Sequence, residues 1–215
     1  MVSINNKEFN LTQDFFTAGY TGEPIQTYTH RVEVGMPIGN FYGWKSVGID
    51  DDGVWIVKSK DGKDISIKDA SEDDKQYIGN GLPKYYLSFN NTLTYKNFDL
   101  NVNMHGAFGF KILNFSRLFY EDPRNNQYNM LKSAFDKVYG KAVLNYDLAY
   151  VSYYLENGNY WKIDNVTLGY SLNLKPDYFI KDARFYVSGL NLLTFTGYKG
   201  LDPELSNGDP QSSGI

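Results

Sequence analysis

The sequence predicts an all-β chain that forms part of a transmembrane antiparallel β-barrel, with about four membrane strands in two hairpins and long extracellular loops. Three observations predict it. Two stretches alternate apolar and polar residues with period two, the first of them around a two-residue loop. The polar side of that alternation is almost free of charge. Aromatic residues gather near the strand ends, at Tyr85, Tyr86, Tyr95, Phe98, Phe108, Tyr160 and Trp161, as in the interfacial girdles of membrane barrels.

The first hairpin carries the clearest signal. Leu87, Phe89, Asn91, Leu93 and Tyr95 alternate with Ser88, Asn90, Thr92 and Thr94; after Lys96-Asn97, Phe98, Leu100, Val102, Met104 and Phe108 alternate with Asp99, Asn101, Asn103 and His105. If Tyr95 faces Phe98, then Leu93 faces Leu100, Phe89 faces Met104, Thr92 faces Asn101 and Asn90 faces Asn103. One face is then apolar and the other polar on both strands, and a slip of one residue would mix them. The second hairpin is fainter. Val166, Leu168, Tyr170, Leu172 and Leu174 alternate with smaller polar residues, Lys175-Pro176-Asp177 breaks the run, and a return strand of less regular alternation follows at 183–195.

Strands are therefore expected at 85–95, 98–108, 160–174 and 183–195, within a strand-and-loop region 85–215 that follows a loop segment 1–84. Within it residues 1–80 hold 13 acids against 8 bases and are dense in turn signals, with short strands expected at 31–34 and 54–58. Met130, Leu131, Ala134, Phe135 and Val138 follow helical spacing, so residues 127–141 read as a short amphipathic helix inside a long loop. Because turns are short and loops long on opposite sides of such barrels, the two hairpin turns would be periplasmic. Residues 1–84, 109–158 and 196–215 would be extracellular.

Composition agrees with β-structure and excludes some functions. Aromatics make up 17% of 215 residues, with 19 Tyr and 14 Phe, side chains that suit a pleated surface. Cysteine is absent, which removes disulfides and thiolate metal sites. A net charge of −4 and the lack of a basic run give no nucleic-acid surface. No apolar run is long enough for a membrane-spanning helix, but a barrel exposes apolar side chains only at every second position, so a mean hydropathy of −0.46 does not weigh against one. The residues alone leave a rival open: a secreted β-sandwich carbohydrate-binding module that buries the apolar faces and presents Trp44, Trp55 and Trp161 to sugar rings.

Four segments resemble, in order, those of SusC/RagA-type TonB-linked outer-membrane proteins. They are residues 34–44 (VGMPIGNFYGW) with Gly48-Ile49; residues 67–69 and 78–84 (IGNGLPK); residues 154–170 (YLENGNYWKIDNVTLGY); and residues 185–198 (FYVSGLNLLTFTGY) with Gly200 and Asp202-Pro203-Glu204. The resemblance implies a C-terminal part of such a transporter, in the bacterial outer membrane, with the plug, the TonB-contacting segment and the first part of the barrel lying outside the chain. It implies import of glycan or peptide fragments, with a SusD-like lipoprotein as lid and TonB as the periplasmic partner. One departure concerns the acidic loop at 69–74, which lacks the glycine of a calcium-binding turn.

Within that frame Ser88, Asn90, Thr92, Thr94, Asn101, Asn103 and His105 are candidate lumen-lining residues, His105 being hydrogen-bonded to a neighbour such as Ser88. Phe41, Tyr42, Trp44 and Tyr198 are candidate contacts for the lid or the ligand. No catalytic residue, cofactor or metal site is expected. Asp50-Asp51-Asp52 before Gly53 reads as a solvated turn.

Overall fold

The computed structural model describes residues 14–124, 129–173, 182–204 and 210–215. It is all-β apart from short helical turns. The chain divides into two compact units, one comprising Pro83–Gly109 and Gly158–Gly197, the other Met1–Leu82, Phe110–Asn157 and Tyr198–Ile215.

The larger unit contains a four-stranded sheet in the order β1 (Phe15–Tyr20), β2 (Tyr28–Glu33), β3 (Asn40–Gly43), β7 (Gln76–Asn80). A three-stranded sheet is formed by β4 (Ser46–Ile49), β5 (Trp55–Lys58) and β6 (Asp64–Ser66), and a ribbon by β10 (Lys111–Leu113) and β11 (Leu155–Asn157). Its core gathers Phe41, Ile49, Trp55, Val57, Leu113, Leu118, Tyr150, Val151 and Tyr154. Two glycines are dictated by this packing. A Cβ on Gly43 would lie 2.6 Å from the Tyr150 ring, and Gly53 takes φ +81° in the turn that Asp50 closes by accepting from the Asp52 and Val54 amides. The one α-helix among the described residues, α1 (Phe115–Tyr120), starts where the Asn114 side chain accepts from the Arg117 amide, an N-cap.

The helix read at 127–141 does not form. Among its described residues the chain makes two 3₁₀ turns, Lys132–Phe135 and Val138–Gly140. Leu131, Asp136 and Lys137 are extended around them, and Tyr139 is left-handed. The apolar spacing serves a turn that buries Ala134 and Val138 while leaving Phe135 exposed, and three-residue spacing fits a 3₁₀ turn as well as an α-helix.

The smaller unit is one antiparallel sheet in the order β13 (Asp182–Thr196), β12 (Tyr160–Asn173), β9 (Phe98–Phe108), β8 (Tyr85–Tyr95). The first hairpin pairs in the register read from the alternation, from Tyr95 opposite Phe98 to Phe89 opposite Met104. Its two-residue loop is closed with Lys96 at φ +54°, the hand such loops require. Residues 174–181, where the second turn was expected, lie outside the described residues. Rows run straight across the sheet on one face: Leu93, Leu100, Leu168 and Val187; Tyr95, Phe98, Tyr170 and Phe185; Phe89, Met104, Ile163 and Leu193. Among the described residues both edge strands, β8 and β13, have one neighbour each.

A bulge keeps that face apolar. On β12 Ile163 pairs Met104 and Asn165 pairs Asn103, so Asp164 is one residue more than β9 supplies. Trp161 and Ile163 would otherwise share a face with Asn165 and Thr167; the extra residue turns them to the side of Val166 and Leu168. The return strand adds a residue in turn. Ile163 pairs Leu193 while Asn165 pairs Leu190, which leaves Asn191 and Leu192 opposite Asp164, and Asn191 takes φ +50°. Deleting Asp164 should therefore rotate Trp161 and Ile163 onto the polar face. Limited proteolysis is expected to cut 158–197 in the deletion variant and to leave it intact in the Asp164→Ala variant, which keeps the residue count.

Candidate functional site

The polar face of the smaller unit is built by the alternation that builds its apolar face. Ser88, Asn90, Thr92 and Thr94 come from β8, and Asn101, Asn103 and His105 from β9. The pairing brings all seven to one side, Ser88 opposite His105, Asn90 opposite Asn103 and Thr92 opposite Asn101. β12 and β13 extend the rows with Lys162, Asn165, Thr167, Ser188 and Thr194. Short neutral side chains hydrogen-bond across strands: Asn101 donates to Thr92 Oγ1 at 2.8 Å, the Thr167 and Ser188 hydroxyls share a bond of 2.7 Å, and Ser188 donates to Asn165 at 3.0 Å.

Besides Lys162, two charged contacts lie on this face. Asp99 on β9 meets Arg184 on β13, with Nε 3.1 Å from Oδ1 and Nη2 2.5 Å from Oδ2. The pair spans the intervening strand over Gly169, whose added Cβ would lie 2.4 Å from the Asp99 carboxylate. His105 Nδ1 lies 2.5 Å from Asp164 Oδ2, and its ring meets Tyr160 edge-on at 5.6 Å. Its carboxylate neighbour is the bulge residue, not the serine across the strand pair. The bulge thus re-aims one acid onto the only histidine of this sheet. A parity change between Ile163 and Val166 is the sequence signal that would have located it.

The four aromatic candidates of the larger unit separate. Phe41 is fully buried, its ring 4.2 Å from that of His30, so it fills the core and offers no surface. Tyr42 is half-buried, edge-on to Tyr77 at 5.4 Å and beneath the Arg31 guanidinium at 4.9 Å. Trp44 is half-buried as well; its indole N–H donates to the Ser71 carbonyl at 3.1 Å, and the Lys75 ammonium sits 4.6 Å over its ring. It lines a cleft of about 330 Å³ with Ile25, Gln26, Lys75, Tyr146 and Asp147. Tyr198 is half-buried, and burial, then the nearby Glu156 carboxylate, push its phenol above the usual range. Trp55, one of the three tryptophans a sugar-binding sandwich would present, is fully buried.

In the acidic loop Asp74 is engaged locally. Asp74 accepts from the Ser71 amide at 2.8 Å, the Ser71 hydroxyl at 3.0 Å and the Lys60 amide at 2.9 Å. Those backbone donors, Ser71 first, hold its pKa below the usual carboxylate range.

No family model matches the chain. It is 31% identical over 218 aligned residues, covering 89% of its length, to the TonB-dependent receptor P3 of Formosa agariphila. It is 29% identical over 64% of its length to receptor P26 of the same organism, and 24% identical over 95% to receptor P39. The chain spans 21%, 15% and 26% of those relatives. Its fold is similar to solved structures of the RagAB peptide importer in the closed-closed state (TM-score 0.70, 22% identity, 95% of this chain and 23% of that chain) and of the RagAB peptide transporter (TM-score 0.71, 23% identity, 89% and 22%). The likeness to SusC/RagA-type TonB-linked proteins thus holds in sequence and in fold, and it places the chain in the bacterial outer membrane.

The crossing of Gly169 by the Asp99–Arg184 pair has a measurable consequence. Asp99→Ala should lower the thermal midpoint in the native background and change it little once Gly169→Val has already pushed the two side chains apart. A double-mutant cycle read by thermal unfolding checks this.

Proposed function

We propose that the chain forms wall strands and extracellular loops of a TonB-dependent outer-membrane transporter that imports glycan or peptide fragments. The observation that carries the reading is the exposed apolar face of the four-stranded sheet. Leu87, Leu93, Phe185, Val187, Leu193 and Phe195 are 55–68% exposed, with no Lys, Arg, Asp or Glu among the face positions paired from residue 85 to 108. A soluble sheet buries such a face, and exposed apolar areas of this extent mark a membrane or a partner. The opposite face, lined by Ser88, Asn90, Thr92, Thr94, Asn101, Asn103 and His105, would border the aqueous passage.

Membrane strands also leave no unpaired edge groups in hydrocarbon. The free edges of β8 and β13 would therefore pair with further strands of the same barrel. Connectivity supplies the sidedness: a two-residue loop joins β8 to β9 at one end, and at the other the chain reaches β12, the next strand of the sheet, only through residues 109–159. Short turns are periplasmic in this architecture, so the larger unit would lie outside the cell. Its exposed aromatics and its Tyr42, Trp44 and Tyr198 would meet a SusD-like lid or the ligand, and TonB would act from the periplasmic side on parts of the transporter beyond this chain.

Two outcomes are expected. Leu100→Arg, in the middle of the apolar face, should cost about 2–4 kcal/mol near the bilayer midplane and should abolish the heat-modifiable, assembled band on electrophoresis, while Asn101→Ser leaves it in place. In whole cells a membrane-impermeant thiol reagent should label a cysteine introduced at Lys199 and spare one at Lys96; the reverse pattern would invert the topology.

A further inference from the structure

We propose that Glu156 is a positioning residue. By accepting from the Lys199 amide it holds the loop at residues 198–204 in one conformation against the core, and so sets the shape that loop offers to the lipoprotein lid; the last step rests on the outer-loop reading above.

Glu156 stands in β11, paired with Ile112 of β10, and its side chain is 9% exposed. Its two oxygens are divided. Oε1 accepts from Arg117 Nη1 at 2.7 Å and from the Asn114 side-chain Nδ2 at 3.2 Å, and Oε2 accepts from the Lys199 backbone N–H at 2.7 Å. Arg117 is itself fixed, its Nε donating to Glu121 at 2.8 Å and its guanidinium lying 4.9 Å over the Tyr153 ring. Ser133 donates to the same Glu121 oxygen at 2.6 Å. One guanidinium thus faces two carboxylates, each under 10% exposed. The surplus negative charge is met by neutral donors, and the Lys199 amide is one of them. Withdrawing the loop would strip a buried carboxylate oxygen of a hydrogen bond, which is costly in an enclosed site.

The loop is shaped to accept this tie. A Cβ on Gly200 would lie 2.3 Å from the Tyr198 ring, so the glycine seats that ring. Asp202 accepts from the Glu204 amide at 2.9 Å, and Pro203 is buried. Because Glu156 grips a backbone group, it fixes the loop's path independently of the side chains the loop displays. The Gly200 and Asp202-Pro203-Glu204 pattern and the Glu156 of the preceding segment are therefore two halves of one arrangement.

The test uses the intact outer-membrane protein. In Glu156→Gln the amide oxygen can still serve Arg117, leaving the NH₂ against the Lys199 N–H, donor against donor. Hydrogen exchange at residues 199–204 should accelerate about ten-fold or more, well beyond any acceleration at Leu113 and Val151, which reports the stability the buried set loses. Capture of the SusD-like lipoprotein on the same membranes should fall, and Gly200→Ala, which leaves the Arg117 cluster intact, should lower it likewise. Unchanged loop exchange in Glu156→Gln overturns the tie. Faster exchange with undiminished capture overturns the role in docking. If the unmodified protein captures no such lipoprotein, the outer-loop reading fails, and the exchange measurement still decides whether Glu156 fixes the loop.

Discussion

Parity governs the four-stranded sheet. Side chains alternate with a period of two, so each residue inserted into one strand turns everything beyond it to the other face. A sheet that keeps one face apolar across four strands can absorb an odd residue only where the alternation itself changes phase. Here the phase changes between Ile163 and Val166, and Asp164 is the residue that compensates. The return strand compensates again at Asn191-Leu192, and the left-handed Asn191 absorbs the backbone turn, a conformation asparagine adopts more readily than most residues. The His105–Asp164 contact follows from that geometry, because only a bulged residue is free of the ladder on both sides.

The larger unit obeys a different constraint, the filling of a closed core. Trp55, Tyr150, Tyr154 and Phe41 are its largest fully buried side chains, and the tyrosines and the adjoining His30 bring polar atoms with them. The Tyr150 hydroxyl donates to the Thr29 carbonyl at 3.0 Å, and His30 is held between the Thr29 hydroxyl at 2.8 Å and the Ser213 carbonyl at 3.1 Å. Satisfied polar contacts of this kind link segments distant in sequence, which ladder pairing over three- to six-residue strands could not do alone.

The legibility of each part tracks how local its cause is. The first hairpin was readable to the residue because its register follows from a two-residue loop and an uninterrupted alternation. The second was readable only from Val166 onward, since the strand before it is in opposite phase and the one after it carries its own bulge. Helical spacing at 130–138 misled because short 3₁₀ turns and an α-helix share the three-residue step. The six-residue α1 went unread, its one local sign being Asn114 ahead of Phe115. Phe41 was misjudged for another reason: an aromatic in a glycine-rich segment looks available until the tertiary partners, here His30, are known. Asp99 and Arg184 are 85 residues apart, and only the sheet order brings them together.

The two units hold their charges in opposite ways, and magnitudes separate the consequences. On the sheet's polar face Arg184 and Asp99 remain open to solvent and are joined by a fork across a glycine, so rearrangement of either side chain can recover hydration. In the larger unit Arg117 is 10% exposed and its two carboxylates 6% and 9%, which removes that escape. Losing one member of such a buried set typically costs about 3–5 kcal/mol, because the remaining charges stay enclosed without a counterpart, whereas replacing the whole set by apolar groups can be neutral. That asymmetry argues against stability alone as the reason for the arrangement. A buried ionic set that also grips the backbone of a surface loop specifies where the loop goes, and an apolar cluster of equal volume, having no acceptor for the Lys199 amide, would not.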